Sequence, residues 1–358
     1  MEKRNLILLS ILVVAICVLV ILFWMAQTET DNGVIPWIDD NDEPDIERTE
    51  WAFEITQVDD INEDGYDGDG VVIGIVDSGI DITHPDLDHI NISAWMDYVN
   101  GRPEPYDDNG HGTHIAGIIA ANGEIEGIAP KVKMVVVKAI SASGSGSGSD
   151  VASGIDFCVE NGADVICLSL GGRARFLNLG DETATACEDA IDQGVFVVAA
   201  AGNDGEDPND NDVASPATVD EVIAVGAIDE NKHIASFSSK GDNDGILPIA
   251  IDDRRDPDKK PELVAPGVEI VSTWTNGEYV IASGTSQATA FVAGGIVLLL
   301  DAHPESQREG GGGGSSSTIT HFKEVFMDTA EKCPGQDTPH DDHYGYGLIN
   351  VENAEGAL

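Results

Sequence analysis

Three polar residues stand where apolar segments end or begin, and each has glycine close by. Asp77 follows the apolar run 71–76 in VDSGID, His111 opens NGHGTHIAG, and Ser286 opens SGTSQATAFVAGG. A serine hydroxyl becomes a good nucleophile when a base takes its proton, and histidine titrates near neutral pH. An aspartate can hold the imidazole in one tautomer. These residue types together predict nucleophilic catalysis by a serine.

Each residue also has an ordinary structural interpretation. An aspartate after a strand is usually a turn or cap residue, and a serine or histidine at a helix start is often a hydrogen-bonding cap. Gly110, Gly112 and Gly284 favour the catalytic interpretation, because they allow a close backbone approach that an ordinary cap does not need.

The elements that must position these residues alternate between strands and helices. Continuous apolar runs, typical of parallel strands buried on both faces, occur at 71–76, 132–137, 165–170, 195–201 and 222–225. Helix-like stretches occur at 113–121, 151–160 and 183–193, and the stretch 287–302 is apolar on nearly all sides. This order predicts an α/β fold with a doubly wound, mainly parallel central sheet and helices on both faces. Ligands bind beyond the carboxyl ends of such strands.

The three segments resemble the active-site motifs of the subtilisin-like serine proteases, in the order Asp, His, Ser. Further similar segments are HPDL (84–87), VICLSLGG (165–172), AAAGNDG (199–205), SPATVDEVIAVGAID (215–229), ASFSSKG (235–241), KPELVAPG (260–267) and GYGLINV (345–351). The resemblance covers about residues 50 to 355. It implies a serine endopeptidase that cleaves protein or peptide substrates through an acyl-enzyme intermediate and requires no cofactor for the chemistry.

The resemblance also implies the roles of residues around the triad. Asn203 matches the side chain that donates to the oxyanion, and the Ser286 backbone N–H would be the second donor. His114 is expected to be structural. The chain departs from the family at Gln287, where methionine is usual, and at Ala290–Phe291, where Pro-His is usual.

Substrate is expected to bind as an added strand between two segments. The resemblance implies that these segments contain Gly144, Ser145 and Gly146 on one side and Ser169, Leu170 and Gly171 on the other. The pocket for the residue before the scissile bond would be lined by Ala200, Ala201, Gly202 and the stretch 203–214. The acidic residues of that stretch suggest a preference for Lys or Arg, or they continue an acidic surface.

Calcium is the one metal that the resemblance suggests, as a structural ion. Asp86 matches an acidic calcium ligand of many subtilisins, but the segment 120–130 is too short for the usual ligand loop. Residues 60–67 resemble the start of an EF-hand loop but are followed by Val71 at position 12, so a turn is favoured. The sequence HDDH at 340–343 is interpreted as a solvated loop.

The charge balance restricts the partners. The 358 residues include 18 Lys and Arg against 65 Asp and Glu, a net charge of −47. Such a field repels phosphates, so nucleic acid binding is not expected. The surface suits a chain that stays soluble in high salt or one that collects divalent cations, and we expect a monomer.

The N-terminus predicts a membrane anchor. Residues 6–26 carry no charged side chain, and Lys3 and Arg4 precede them. We therefore expect residues 1–5 in the cytoplasm, a transmembrane signal anchor at 6–26, an acidic extracellular spacer at 27–49 and an outward-facing peptidase domain at 50–358. A cleaved signal, giving a secreted enzyme, is the alternative.

Two other functions and the state of the thiols stay open at this stage. A pseudoprotease that binds extended peptides without cleaving them would keep the fold. An acidic protein that binds cations or partners would leave the Asp77, His111, Ser286 and Asn203 pattern unexplained. Cys158, Cys167, Cys187 and Cys333 could pair or remain buried free thiols.

Overall fold

The computed structural model describes residues 35–36, 46–171, 181–207, 211–241, 254–308 and 314–358. Its strands are β1 (Ile35–Pro36), β2 (Val72–Asp77), β3 (Asn91–Asp97), β4 (Lys133–Lys138), β5 (Val165–Leu168), β6 (Phe196–Ala200), β7 (Ile223–Ile228), β8 (Leu263–Pro266), β9 (Ile270–Thr273) and β10 (Tyr279–Ala282). Its α-helices are α1 (Glu50–Thr56), α2 (Val58–Glu63), α3 (His111–Ala120), α4 (Gly148–Glu160), α5 (Glu182–Asp192), α6 (Thr285–Ala302), α7 (Ser316–Thr329) and α8 (Val351–Glu355). Two 3₁₀ turns lie at Thr275–Gly277 and Pro304–Ser306.

Seven strands form one sheet in the order β3-β4-β2-β5-β6-β7-β8, and each neighbouring pair is parallel. The central strands are almost entirely buried, which explains their continuous apolar sequences. The predicted doubly wound α/β fold is confirmed.

The connections between strands put the helices in two layers. Helix α3 leads from β3 to β4 and packs with α6, whereas α4 and α5 pack together and connect β4 to β5 and β5 to β6. The path runs outward from β2 to β3 and β4 and then crosses back over β2 to β5. Right-handed crossovers in opposite directions put their helices on opposite faces of the sheet. The reversal at β2 makes the carboxyl end of β2 a switch point where a site is expected.

Helix α6 is the centre of the core. Fifteen of its eighteen residues are buried, and it packs on β5, β6, β7 and β8. Within the described residues it is the one helix long and apolar enough to cross a membrane, but 89% of its apolar window is buried inside the protein. The predicted transmembrane segment 6–26 lies outside the described residues.

Several elements were missed by the sequence patterns. The edge strand β3 is only partly buried, and β9 and β10 form a short antiparallel pair with Tyr279 opposite Thr273. Helices α1 and α2 are short, and α1 is held to α6 by an edge-to-face contact of Phe53 and Phe291 with ring centroids 5.2 Å apart. Short elements carry too few residues for a period to stand out.

The Gly/Ser-rich segment 143–149 ends in a helix, because α4 begins at Gly148 and the Ser147 hydroxyl caps it by accepting from the Asp150 N–H. The structure also resolves the state of the thiols. The four cysteines of the described residues are free and buried, and burial raises the pKa of the Cys333 thiol to about 11.

A buried charge cluster joins β8 to α7. The Glu262 carboxylate accepts from Lys260 Nζ at 2.6 Å, from Lys323 Nζ at 2.9 Å and from the Ala224 N–H at 2.8 Å. Asp258 completes the cluster at 2.5 Å from Lys323. Burial lowers the pKa of Lys260 to about 8, although Glu262 opposes this shift. Both ammonium groups therefore share the Glu262 carboxylate, and Lys323 has Asp258 as a second partner.

Glu262→Gln should lower the free energy of unfolding by about 3–5 kcal/mol, because it removes the carboxylate paired with the buried Lys260 ammonium group and one of the two carboxylates paired with Lys323. Urea unfolding at pH 7 measures the change. Glu331→Gln, which removes an exposed partner of Lys232, is the control and should cost about 0–1 kcal/mol. Equal losses in the two variants would contradict the buried-cluster interpretation.

Candidate active site

Asp77 is the last residue of β2 and is 1% exposed. Its Oδ1 accepts the Ser78 N–H at 2.6 Å, and its backbone oxygen accepts from the N–H groups of Ala139 and Ile140. A buried carboxylate is costly unless its oxygens are hydrogen-bonded, so this position demands polar partners.

His111 supplies the second partner. It is the first residue of α3, and its Nδ1 lies 2.8 Å from Asp77 Oδ1 and 3.0 Å from Oδ2. Gly112 permits this approach, because a Cβ there would lie 2.2 Å from the Gly79 backbone oxygen. Burial lowers the pKa of His111, but the charge and hydrogen bond of Asp77 and the charge of Asp107 outweigh it, so the net shift is upward. The ring is oriented by Asp77, and one third of the side chain remains exposed.

Ser286 is the second residue of α6 and is half-buried. Its hydroxyl donates to the Ser169 backbone oxygen at 2.9 Å, and the Ser169 hydroxyl donates to the Ser286 backbone oxygen at 2.9 Å. Because a hydroxyl has one proton, the Ser286 proton faces Ser169 here. Transfer of that proton to His111 would require the hydroxyl to turn away from Ser169, and such rearrangements are common in enzymes without bound substrate.

Asn203 is held beside the start of α6. Its Oδ1 accepts from both the N–H and the hydroxyl of Thr285 at 3.0 Å, so its Nδ2 donor points away from Thr285. A Cβ placed on Gly284 would lie 3.4 Å from Asn203 Nδ2 and 3.7 Å from the Ser286 nitrogen. Because Gly284 has no side chain, open space lies beside both the Asn203 Nδ2 and the Ser286 N–H donors. The N-terminus of α6 adds its positive dipole there.

The predicted peptide-binding residues lie on two segments at the same end of the sheet, and of these the segment 144–146 is exposed throughout. Gly144, Ser145 and Gly146 are all exposed, and the Ser145 backbone oxygen accepts from Ser141 N–H within the turn. Ser169 is buried, Leu170 is half-buried and Gly171 is exposed directly after β5.

The structure describes one wall of the predicted pocket. A Cβ on Gly171 would lie 3.3 Å from both Ala214 Cβ and the Ser215 oxygen and 3.9 Å from the Ala200 oxygen, which brings 171 and 200 together with 214–215. Gly202 also borders Ala214, and the Ala214 N–H donates to the Ala201 oxygen at 2.8 Å. Of the acidic stretch, residues 208–210 lie outside the described residues, so the preference for Lys or Arg stays a prediction.

His114 is fully buried and structural in its contacts, in agreement with the sequence interpretation. Its Nε2 lies 3.2 Å from the Ile270 oxygen and 3.1 Å from the Val280 oxygen, so this nitrogen carries the proton. Its Nδ1 then accepts from Gln287 Nε2 at 3.4 Å. Burial, together with the nearby His111, lowers the pKa of His114 to about 4. His114 thus ties α3 to β9, β10 and α6 as a neutral ring.

Asp86, the predicted calcium ligand, is held by groups of the protein itself. It is 1% exposed, and its oxygens accept from the Glu124 N–H at 3.0 Å, the Ile125 N–H at 3.1 Å and the Tyr279 hydroxyl at 2.8 Å. Its role as a calcium ligand stays a prediction. No group of three or more His, Cys, Asp or Glu residues suited to a metal occurs in the part of the chain that the structure describes.

The other two candidate metal sites are occupied by the protein's own hydrogen bonds. In the EF-hand-like segment, Asn62 lies in α2 and its Nδ2 donates to the Tyr66 and Ile128 oxygens, while Asp67 pairs with Lys131. In the 340–343 loop, Asp341 accepts from three backbone N–H groups.

Two residues that sequence reasoning missed complete the site. The Ser78 hydroxyl accepts from the Gly112 N–H at 2.9 Å and so connects the end of β2 to the start of α3. Thr285 orients Asn203 and also accepts from the Gly202 N–H at 3.1 Å. Ser78 and Thr285 are each adjacent in sequence to a predicted catalytic residue. Sequence position alone, however, does not reveal their hydrogen-bond partners.

Comparison with known proteins gives consistent matches. The model described as "Subtilase family" matches residues 68–347. Subtilisin DY of Bacillus licheniformis is 36% identical over 311 residues, which are 85% of this chain and 97% of that protein. Subtilisin E of Bacillus subtilis (strain 168) is 36% identical over 298 residues, 82% of this chain and 68% of that protein. The thermophilic serine proteinase of Bacillus sp. (strain AK1) is 35% identical over 315 residues, 87% of this chain and 66% of that protein.

The low pKa of His114 predicts acid sensitivity of the fold. Unfolding returns this ring to a pKa of about 6.5, so the unfolded state binds the extra proton between pH 6.5 and about 4. Stability should fall as pH drops through that window, by about 1.4 kcal/mol per pH unit, and His114 should add nothing further below it.

Urea unfolding between pH 7 and pH 4.5 measures this slope in the wild type and in His114→Gln. The variant should be less stable at pH 7 but should lose less stability on acidification. His233→Gln, at a side chain that is 61% exposed, is the control. Parallel curves for the wild type and His114→Gln would contradict the assignment.

Proposed function

We propose, on the premise that the chain belongs to the subtilase family and is a serine-type endopeptidase, that Asp77, His111 and Ser286 are its catalytic triad. The observation that carries the proposal is the 2.8 Å contact between the buried Asp77 carboxylate and His111 Nδ1. It leaves Nε2 as the basic nitrogen and favours the protonated ring that forms during the reaction.

The first half of the reaction forms an acyl-enzyme. Ser286 Oγ turns from Ser169, gives its proton to His111 Nε2 and bonds to the carbonyl carbon of the scissile peptide. The carbonyl oxygen becomes an oxyanion that accepts from Asn203 Nδ2 and the Ser286 N–H. The carbon–nitrogen bond then breaks, and His111 gives the proton to the leaving amine.

The second half regenerates the enzyme. Water bonds to the acyl carbon while its proton passes to His111 Nε2, and collapse of the second oxyanion returns that proton to Ser286 Oγ. The acid product leaves. These steps use the side chains and backbone of this chain alone, and members of this family generally need no cofactor for catalysis.

The substrate is an extended polypeptide. We infer that its backbone pairs with the segments at 144–146 and 169–171, because the glycine and serine side chains of these segments are small enough to leave main-chain groups accessible. The residue before the scissile bond enters the pocket beside 200–202 and 214. The acidic residues near this pocket favour Lys or Arg there.

We further propose that the enzyme acts as a monomer at the outer face of the cell membrane. The support is the uncharged segment 6–26 with Lys3 and Arg4 before it and the acidic segment 27–49 after it. Cleavage after this segment would release a secreted enzyme.

The full-length chain should react covalently with a fluorophosphonate probe, which labels a serine activated by its base. Labelling should disappear in Ser286→Ala. Asn203→Ala should still be labelled but should hydrolyse a peptide reporter about 10²–10³ times more slowly, the range known for the same donor in subtilisin. Gel fluorescence and reporter kinetics measure the two effects.

Circular dichroism of all three proteins provides the control for folding. A folded wild type that resists labelling and still binds extended peptides would contradict the triad and favour the pseudoprotease. Labelling that survives in Ser286→Ala would assign the nucleophile to another residue.

The full-length chain should remain in the membrane pellet after alkaline carbonate extraction of cells that express it. Val14→Arg combined with Val18→Arg should release it, because two charges in the hydrocarbon core cost several kcal/mol. Immunoblotting of pellet and supernatant measures the distribution. Extraction of the unsubstituted chain would contradict an anchor.

A further inference from the structure

Lys138 is a buried ammonium group beneath the active site, at the carboxyl end of β4. It lies in register with Asp77 on β2 and is 0% exposed. An ammonium group has three N–H bonds, and Nζ has three acceptors, namely the Ser78 oxygen at 2.6 Å, Asp108 Oδ1 at 2.6 Å and the Ile140 oxygen at 2.9 Å. Every donor of the group is therefore in use.

The three acceptors belong to three different parts of the active site. Ser78 follows Asp77, donates its N–H to the Asp77 carboxylate and accepts from the Gly112 N–H of α3. Asp108 lies in the turn that leads into His111, where Asn109 accepts from the His111 N–H. Ile140 begins the segment that reaches Gly146, to which it is joined by a bridge.

Two further side chains lie near the ammonium group. The Tyr106 ring covers the ammonium group at 5.1 Å, and Arg102 lies over the same ring at 4.1 Å. A neutral side chain at 138 would leave two carbonyl oxygens and a carboxylate without their shared donor. The Ser78 and Ile140 oxygens would then need other donors, whereas the one-third exposed Asp108 side chain could accept from water.

We propose that Lys138 is a positioning residue that fixes Asp77 against His111 and sets the start of the substrate-pairing segment in the same geometry. This inference rests on the proposed triad and extends it to a residue that does not touch substrate. Its position explains why a lysine, with three donors on one atom, stands here in a chain with few basic residues.

The test compares the full-length wild type with Lys138→Met and with Lys133→Met, a matched control at the opposite end of β4. For each, kcat and KM for a peptide reporter are measured from pH 5 to 9 and divided by the concentration of labelled serine. Lys138→Met should lower kcat/KM by between about ten- and a hundredfold, because small displacements of reacting groups are costly. Lys133→Met should match the wild type.

The pH profile separates positioning from a general loss of stability. Asp77 raises the pKa of His111, so a looser contact should move the acid limb of kcat/KM to lower pH, by about half a unit or more. Loss of fold alone would reduce the labelled fraction but leave the limb of the remaining enzyme in place. An unmoved limb with unchanged kcat/KM in folded Lys138→Met would overturn the proposal.

Lys138→Arg covers the case in which the methionine variant does not fold. A planar guanidinium cannot place its donors at a single point. In this variant the acid limb of kcat/KM should therefore also lie at lower pH, and kcat/KM should be reduced. A folded Lys138→Arg with wild-type values would equally overturn the proposal. Failure of the wild type itself to react with the fluorophosphonate would refute the triad, and with it the role of Lys138.

Discussion

The structure depends on keeping one carboxylate charged inside the protein. Asp77 is 1% exposed, and burial of an unpaired charge would destabilise the fold. Its oxygens are satisfied by the Ser78 N–H and by His111, so the end of β2 and the start of α3 must meet. The contact between Asp77 and His111 that stabilises the buried carboxylate also raises the pKa of the imidazole. The same interaction therefore affects both the stability of the fold and the protonation of the proposed base.

The parallel sheet makes that meeting possible. Because all seven strands of this sheet run the same way, the carboxyl ends of β2, β5 and β6 lie at one edge, where Asp77 ends β2 and the following loops carry Ser169 and Asn203. The buried helix α6 begins at the same edge and presents Ser286 in its first turn. The apolar helix thus forms the centre of the core and also positions Ser286, the proposed nucleophile.

Buried polar groups are fixed by hydrogen bonds from the protein itself. Asp86 takes its donors from two backbone N–H groups and Tyr279, and His114 stays neutral between strand carbonyls and Gln287. Lysine is scarce in this acidic chain, yet Lys138, Lys260 and Lys323 are all buried against carboxylates. Burial strengthens such pairs, whereas the acidic surface is screened by solvent and salt.

The sequence by itself determined the parallel sheet and the identity of the candidate catalytic residues. A strand buried on both faces must be apolar throughout, so the strands of the sheet can be recognised in the sequence. Glycine must flank a residue where backbones approach closely, so the candidate catalytic residues can be recognised as well. Only the tertiary structure decided that Asp86 accepts a hydrogen bond from Tyr279, that the Ser286 hydroxyl donates to Ser169 and that Lys138 donates to acceptors in three different loops. These partners are up to 193 positions apart, and no local period or motif encodes such a distance.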